Sequence, residues 1–351
     1  MPSLSLVAPG SLDQHTGGYV YDRRMADGLR GLGWDVQVIE LAGEFPNPSA
    51  NALDEAARAL AGVASGRLVV IDSLAFGAMP DVVACEASRL CLVALVHLPL
   101  SAAALLEGGD EVSVTAMEGR ALQSAKGVIV TGRAALPLLE RYRLPAERVI
   151  VVEPGTDRAP IARGSHTGEP LELLCVATLN SIKGHEQLLE ALTDVGPSDW
   201  RLTCVGSLTR DLETAARVRD AIVRLNLQDR VTLTGELTGD ALEEHFNRAD
   251  VFVLASRQET FGMAVAEALA RGIPVIATAT GSVEALLADD AGLVVHVGDR
   301  QALASALRRV LGSSLIRAQL AAGASRTRTR LRTWDQAATE LARGLEALVY
   351  G

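Results

Sequence analysis

Short runs of Val, Ile and Leu recur along the chain, separated by longer Ala-, Leu- and Arg-rich stretches whose apolar positions repeat with helical spacing. Six such runs fall at residues 4–8, 36–41, 68–71, 92–96, 127–131 and 149–152. Strands alternating with helices in this way predict βαβ units around a parallel sheet. The alternation stops over residues 159–170, APIARGSHTGEP, where Pro, Gly, Ser and polar residues carry no apolar period, and an interdomain linker is expected there. It restarts with runs at 171–177, 201–205, 231–234, 251–254, 274–277 and 292–295. A last helical segment, 334–349, has no strand after it and is expected to pack back on the first domain. The pattern therefore predicts an α/β protein of two Rossmann-like, doubly wound parallel-sheet domains, residues 1–162 and 163–333, with segment 334–351 returning to the first. Ligands of open parallel sheets bind beyond the carboxyl ends of the strands, so two such domains are expected to face an interdomain cleft, with the chemistry in the βα loops.

The 351 residues suit two domains, and 48% hydrophobic with 22% charged residues is enough apolar material for real cores. A net charge of -10 without a run of like charges argues against a basic nucleic-acid-binding face, and no nucleic-acid partner is expected. Cys85, Cys91, Cys175 and Cys204 lie in apolar stretches without CxxC or zinc spacing, which predicts buried, reduced thiols and no metal. No basic leader precedes the first apolar run. The longest uncharged stretch, 90–106, is broken by His97, Pro99 and Ser101 and reads as a buried strand followed by a loop. A cytoplasmic protein without an integral membrane segment is expected, with peripheral membrane contact left open.

Three loops carry candidate chemistry. After the first strand, Gly17 and Gly18 open a helix that ends near Gly31 to Gly33. Glycines at a helix amino end let backbone approach a phosphate, although a plain turn has the same appearance, and the spacing is not GxGxxG. Glu40 lies about where a dinucleotide-binding acid would, so dinucleotide binding stays a weak alternative. In residues 177–192, Lys183 and Gly184 open an amphipathic helix. A lysine there opposes the helix dipole and asks for an anion, unless it is simply solvated. In residues 256–278, Glu259 lies in the loop after a buried strand and Phe261, Gly262 and Met263 are expected to form a first helical turn whose amides face a diphosphate. Glu267 follows on that helix. An acid near a helix start also stabilises the helix by about 0.3–1 kcal/mol, a purely structural reason for either glutamate.

With those residues in view, the sequence resembles the GT-B glycosyltransferases of retaining family 4, whose E-x7-E motif matches Glu259 through Glu267. Segments 272–277 (GIPVIA), 231–237 (VTLTGEL), 248–256 (RADVFVLAS), 151–157 (VVEPGTD) and 95–100 (LVHLPL) fall where that family uses them, and the resemblance runs to about residue 311. It implies that Glu267 meets the nucleotide ribose and Glu259 the donor sugar. The amides of Phe261, Gly262 and Met263 would hold phosphate beside Lys183, the segment ending at Leu237 would follow the base, and Gly17 and Gly18 would close on the phosphates. His97 would lie near the reacting sugar; taken alone, a histidine after a buried strand is equally an ordinary loop residue. Two departures stand out. The family's arginine five residues before the lysine is Thr178 here, and Arg257 or Arg133 is expected to replace its charge; the Gly-Gly loop reads Thr280-Gly281-Ser282, with Glu284 one residue early.

The resemblance implies a retaining transferase moving a sugar from a nucleotide diphosphate, UDP before GDP, to a hydroxyl of a saccharide, metabolite or carrier lipid. No cofactor is expected and, with no DxD motif after a strand, no metal; Asp289-Asp290 reads as a solvated turn. The rivals are a non-catalytic nucleotide-sugar sensor and a GT-B sugar-nucleotide epimerase. A phosphorylase would need a pyridoxal lysine, and Lys126 and Lys183 are the chain's only lysines.

Overall fold

The computed structural model describes residues 1–165, 169–196, 199–288 and 290–350. The chain forms two compact units, Met1–Gly155 with Arg332–Gly351, and Thr156–Leu331.

The first unit contains β1 (Ser3–Pro9), β2 (Asp35–Leu41), β3 (Leu68–Asp72), β4 (Cys91–Val96), β5 (Gly127–Val130) and β6 (Val149–Val151). They form one parallel sheet in the order β2-β1-β3-β4-β5-β6. Because successive side chains point to opposite faces, Val69, Ile71, Leu92 and Ala94 enter one core while Leu68, Val70, Val93 and Leu95 enter the other. The second of these cores is closed by the first helix, Gly17–Gly31, and the last, Trp334–Tyr350. Gly28 lets the two helices touch: a Cβ on it would lie 2.4 Å from that of Ala338.

The second unit contains β7 (Leu171–Val176), β8 (Trp200–Val205), β9 (Val231–Gly235), β10 (Val251–Leu254), β11 (Val275–Thr278) and β12 (Gly292–Val295). The order is β12-β11-β10-β7-β8-β9, again all parallel. Counted within the unit this is 3-2-1-4-5-6, the doubly wound order whose direction reverses between β7 and β10. In the first unit the reversal lies between β1 and β3. The twelve strands lie within two residues of the ends expected from the sequence, and the α/β, doubly wound prediction holds for both units.

Three expectations need correction. The segment read as a linker is tied to the second unit over its described part: the amides of Ala162 and Arg163 bond the carbonyls of Arg271 and Asn247, and that of Ser165 bonds Asp250. Residues 166–168 lie outside the described residues, as do Asp289 and Gly351. The chain changes units at Gly155/Thr156 and Leu331/Arg332 instead. The loop expected after β4 is a helix, Leu100–Glu107, because the buried Glu118 carboxylate accepts from its first amides, Leu100 at 2.8 Å and Ser101 at 3.0 Å. That partner lies too far along the chain to be read from local sequence. Of the cysteines, Cys175 and Cys204 are buried, but Cys91 is partly exposed and Cys85 exposed, on the outer side of a short helix, Pro80–Glu86.

Candidate functional site

In the second unit the switch point places two loops side by side. The loop after β7 turns through a short 3-10 segment, Ser181–Lys183, then Gly184, and starts its helix, His185–Thr193, one residue after the glycine. The loop after β10 runs through Ala255, Ser256 and Glu259 to the helix Met263–Ala270. The two are joined by the Arg257 amide, which donates to the Ile182 carbonyl at 2.7 Å. Gly184 is required twice over: its φ is +68°, and a Cβ would lie 2.0 Å from the Ala255 carbonyl oxygen.

That approach brings Lys183 Nζ to 2.6 Å from Glu259 Oε1, which also accepts from Ser256 Oγ at 2.7 Å. The lysine that sequence reasoning expected to want an anion thus has a carboxylate beside it. The side chains are 25% and 12% exposed, so the pair is reachable by a ligand yet only partly solvated. Gly281, in the loop after β11, backs the same glutamate: with φ +59°, a Cβ there would lie 2.7 Å from the Glu259 carbonyl oxygen.

Phe261, Gly262 and Met263 do not form a helical turn together. Gly262 is the cap, with φ +100°, and the helix begins at Met263. Only glycine takes that conformation readily. The first turn has no side-chain cap and no acidic residue, and the amides of Met263, Ala264 and Val265 precede the first helical bond, from Ala266 to the Gly262 carbonyl. They are donors of the kind that hold anions at a helix amino end. Glu267 lies one turn further on the same helix, partly exposed. Leu237 follows β9 and packs against the unit's core. The Arg257 side chain is exposed beside Glu259, whereas Arg133 is exposed in the first unit, at the start of the 3-10 turn Arg133–Ala135. Thr178 stands at the end of β7, and its carbonyl accepts from the Asn180 amide.

In the first unit His97 follows β4 beside the β1/β3 switch point. Its Nε2 lies 2.9 Å from Asp22 Oδ1 and 3.5 Å from Asp72 Oδ2. Asp22 is in the first helix and Asp72 ends β3; both are buried, while the histidine is 20% exposed. Gly18 covers the ring: a Cβ on it would lie 3.2 Å from His97 Cδ2. The Tyr21 ring meets the imidazole edge-on at 5.4 Å. Gly17 is exposed, so of the two glycines it is Gly18 that packing demands. Burial works against a charged imidazole, but the charge and hydrogen bond of Asp22, then the charge of Asp72, outweigh it and raise the His97 pKa. Burial first, then Asp22, pushes the Asp72 carboxyl up to about 7. Glu40, the weak dinucleotide candidate, instead accepts from the Leu12 amide and holds the loop after β1.

Sequence reading missed Asp22 and Asp72, since neither belongs to a motif; the signal available was an aspartate ending an otherwise apolar strand. It also missed a buried group in the second unit, Cys175, Cys204 and His185, whose donor atoms lie within 4.8 Å of one another. Thiols and imidazole are the ligand types of a soft cation. However, His185 Nδ1 is buried without a partner, where a ligating histidine ordinarily donates its second N–H.

These loops, on these sheets, define the architecture of GT-B glycosyltransferases. Among solved structures, sucrose-phosphate synthase of Thermosynechococcus elongatus superposes with a TM-score of 0.82 at 21% identity, over 98% of both chains. Anabaena HepE, solved with UDP and glucose, gives 0.77 at 18% identity over 98% of this chain and 99% of that one. Residues 160–327 match the family described as Glycosyl transferases group 1, so the chain carries a domain of that family. D-inositol 3-phosphate glycosyltransferase of Xylanimonas cellulosilytica is 31% identical over 231 residues, 61% of this chain and 55% of that protein. Its counterpart in Pseudarthrobacter chlorophenolicus is 31% identical over 239 residues, with 61% and 56% covered. The alignments thus span about half the length of these curated relatives.

Proposed function

We propose that the protein is a retaining glycosyltransferase that takes a sugar from a nucleotide diphosphate, UDP by preference, and passes it to a hydroxyl. The observation that carries this reading is the Lys183–Glu259 pair beside the open amides of Met263, Ala264 and Val265, at the switch point of a group 1 domain. Cationic nitrogen and backbone donors suit a diphosphate. Glu259 suits a donor sugar, with positive charge developing at the anomeric carbon, and Glu267, a turn along the helix, suits the ribose. Leu237 lines the base and Phe261 the approach to it. The first unit binds the acceptor, with His97 as a ligand-facing group beneath Gly18. The names of the relatives support a small polyol or saccharide acceptor over a polymer. A double displacement would need a nucleophilic carboxylate beneath the anomeric carbon with a second about 5–5.5 Å away. Same-face attack, with the departing phosphate oxygen taking the acceptor's proton, asks only for groups that hold charge, and Glu259 is assigned that role.

Thr178 removes one cation from the departing diphosphate, a loss worth up to about 3–4 kcal/mol of barrier. Arg257, on the loop that carries Glu259, is the replacement proposed first, and Arg133 second. Transfer is proposed to be independent of divalent metal and of any cofactor. Incubation with UDP-, GDP- and ADP-sugars and a set of polyol acceptors, following nucleoside diphosphate release, tests the reading. Acceptor-dependent release is the expected result. Binding without turnover would make the chain a sensor, and conversion of the sugar without acceptor an epimerase.

A further inference from the structure

We propose that Asp22, Asp72 and His97 form a proton-holding triad in which the two aspartates fix the imidazole by Nε2 and leave Nδ1–H as a donor to an oxygen of the bound ligand. Asp22 and Asp72 are positioning residues, because the groups around them are protein; His97 is the member that solvent reaches.

Asp22 needs a positive group beside it. Its carboxylate is fully buried, one oxygen faces His97, and the other has no hydrogen-bond partner. It also lines a small cavity whose other walls are apolar, among them Leu6, Met25, Leu95 and Leu341. A lone ionised carboxylate in such surroundings is costly unless a positive group stands against it. The charged groups facing the triad are few. From the first helix come Asp22 and the Tyr21 hydroxyl, from the end of β3 Asp72, and from the loop after β4 His97; the charges of the Arg332–Glu340 ion pair act on Tyr21. The Tyr21 hydroxyl is committed to the Val152 carbonyl at 2.9 Å. His97 is therefore the cation that balances Asp22.

Asp72 fits the same balance. A second buried carboxylate close to the first disfavours two negative charges at one site, and burial with the charge of Asp22 raises the Asp72 pKa, so Asp72 is the one that keeps its proton. With His97 charged, Asp22 ionised and Asp72 protonated, the triad is neutral, as its burial requires. Ionisation of Asp72 as pH rises leaves one uncompensated negative charge and tightens the hold on the imidazolium. Geometry fixes which nitrogen is spent: both carboxylates lie against Nε2, so the ring is anchored there, while Gly18 and Tyr21 hold its plane. Among the described residues Nδ1 has no protein partner.

The activity arm of the test rests on the transferase reading; the titration arm does not. The chain has six histidines, so His97 is assigned in a nitrogen-detected imidazole spectrum of the full chain by its loss in His97→Gln. The expected result is that His97 titrates above the ordinary imidazole value of about 6.5, that its neutral form keeps the proton on Nε2, and that Asp22→Asn weakens its proton affinity at least tenfold. A titration at the ordinary value, or a neutral form protonated on Nδ1, overturns the proposal in the wild type alone, whether or not the variant folds. With a donor and acceptor in hand, Asp72→Asn is expected to remove the step near pH 7 from the kcat/KM profile while leaving a second, His97-dependent fall at higher pH. An unchanged profile in Asp72→Asn also overturns it. Absence of turnover with every nucleotide sugar, alongside a raised His97 titration, would count against the transferase reading and leave the triad standing.

Discussion

Glu259 has two neighbours that decide what its removal does. Without it, Lys183 loses its 2.6 Å partner and Ser256 its acceptor. In a site about one-eighth to one-quarter exposed the stability loss is modest, about 1–2 kcal/mol, well below the 3–5 kcal/mol of a fully buried broken pair. Glu259→Gln keeps the shape and one acceptor, so it is expected to fold with a melting temperature within a few degrees of the parent. Turnover should fall about 100- to 1,000-fold, the loss typical of one group aimed at developing charge. A variant transferring sugar at the parental rate would remove Glu259 from the mechanism. For Asp72 the prediction concerns pH. Its folded-state pKa is raised, to about 7, above its ordinary carboxyl value of 3.8, so the folded state holds the extra proton. The contribution is full at low pH and is lost as pH rises through about 7. Comparing melting temperature against pH, the parent should lose stability between about pH 4 and 7 relative to Asp72→Asn, which carries no such group. Parallel curves would contradict this.

At the scale of elements, the glycines show what the loops are for. Gly184 and Gly262 both have positive φ, but a Cβ on Gly184 meets a carbonyl oxygen at 2.0 Å while one on Gly262 meets a Val283 methyl at 3.3 Å. Gly184→Ala must therefore part the two switch-point loops and with them Lys183 from Glu259. It should lose nucleotide affinity and several degrees of melting temperature. Gly262→Ala carries mainly the backbone cost of about 1–2 kcal/mol, and calorimetric titration with UDP should rank the two in that order. The elements were legible because they are local: period-two and period-3.6 patterns put every strand in place, and the glycines marked the loops after β1, β7 and β10. The helix Leu100–Glu107 was not, because its amino end is satisfied by Glu118, eighteen positions from Leu100. The Phe261-Gly262 turn was misjudged for another reason. An amide-rich stretch before a helical pattern looks like a first turn, and only the sign of φ at Gly262 shows that the helix starts at Met263, two residues later. Lys183 and Glu259 were each visible in sequence, but their pairing came from the β7/β10 adjacency, a property of strand order.

For the whole molecule, the C-terminal helix belongs to the first unit: Ala337, Ala338, Leu341 and Leu345 are buried in the core it shares with the first helix. Leu341 and Leu345 alone represent about 3–6 kcal/mol of burial at 1.5–3 kcal/mol each. Removing residues 334–351 should therefore destabilise the first unit and expose the apolar face of helix Gly17–Gly31, read as aggregation or dye binding; an unchanged melting curve would show that the helix contributes little. Among the described residues no helix is long and apolar enough to cross a membrane. If transfer is metal-independent, chelator should leave turnover intact, and loss restored by magnesium or manganese would contradict that part of the mechanism. The structure of the chain with UDP bound decides whether the β7/β10 loops hold the nucleotide. The diphosphate is expected at the amino end of helix Met263–Ala270, with an oxygen about 3 Å from the Met263 or Ala264 amide, Lys183 turned from Glu259 onto phosphate, and Glu267 on the ribose. Nucleotide bound away from the β7/β10 loops, with the Lys183–Glu259 pair undisturbed, would contradict that placement.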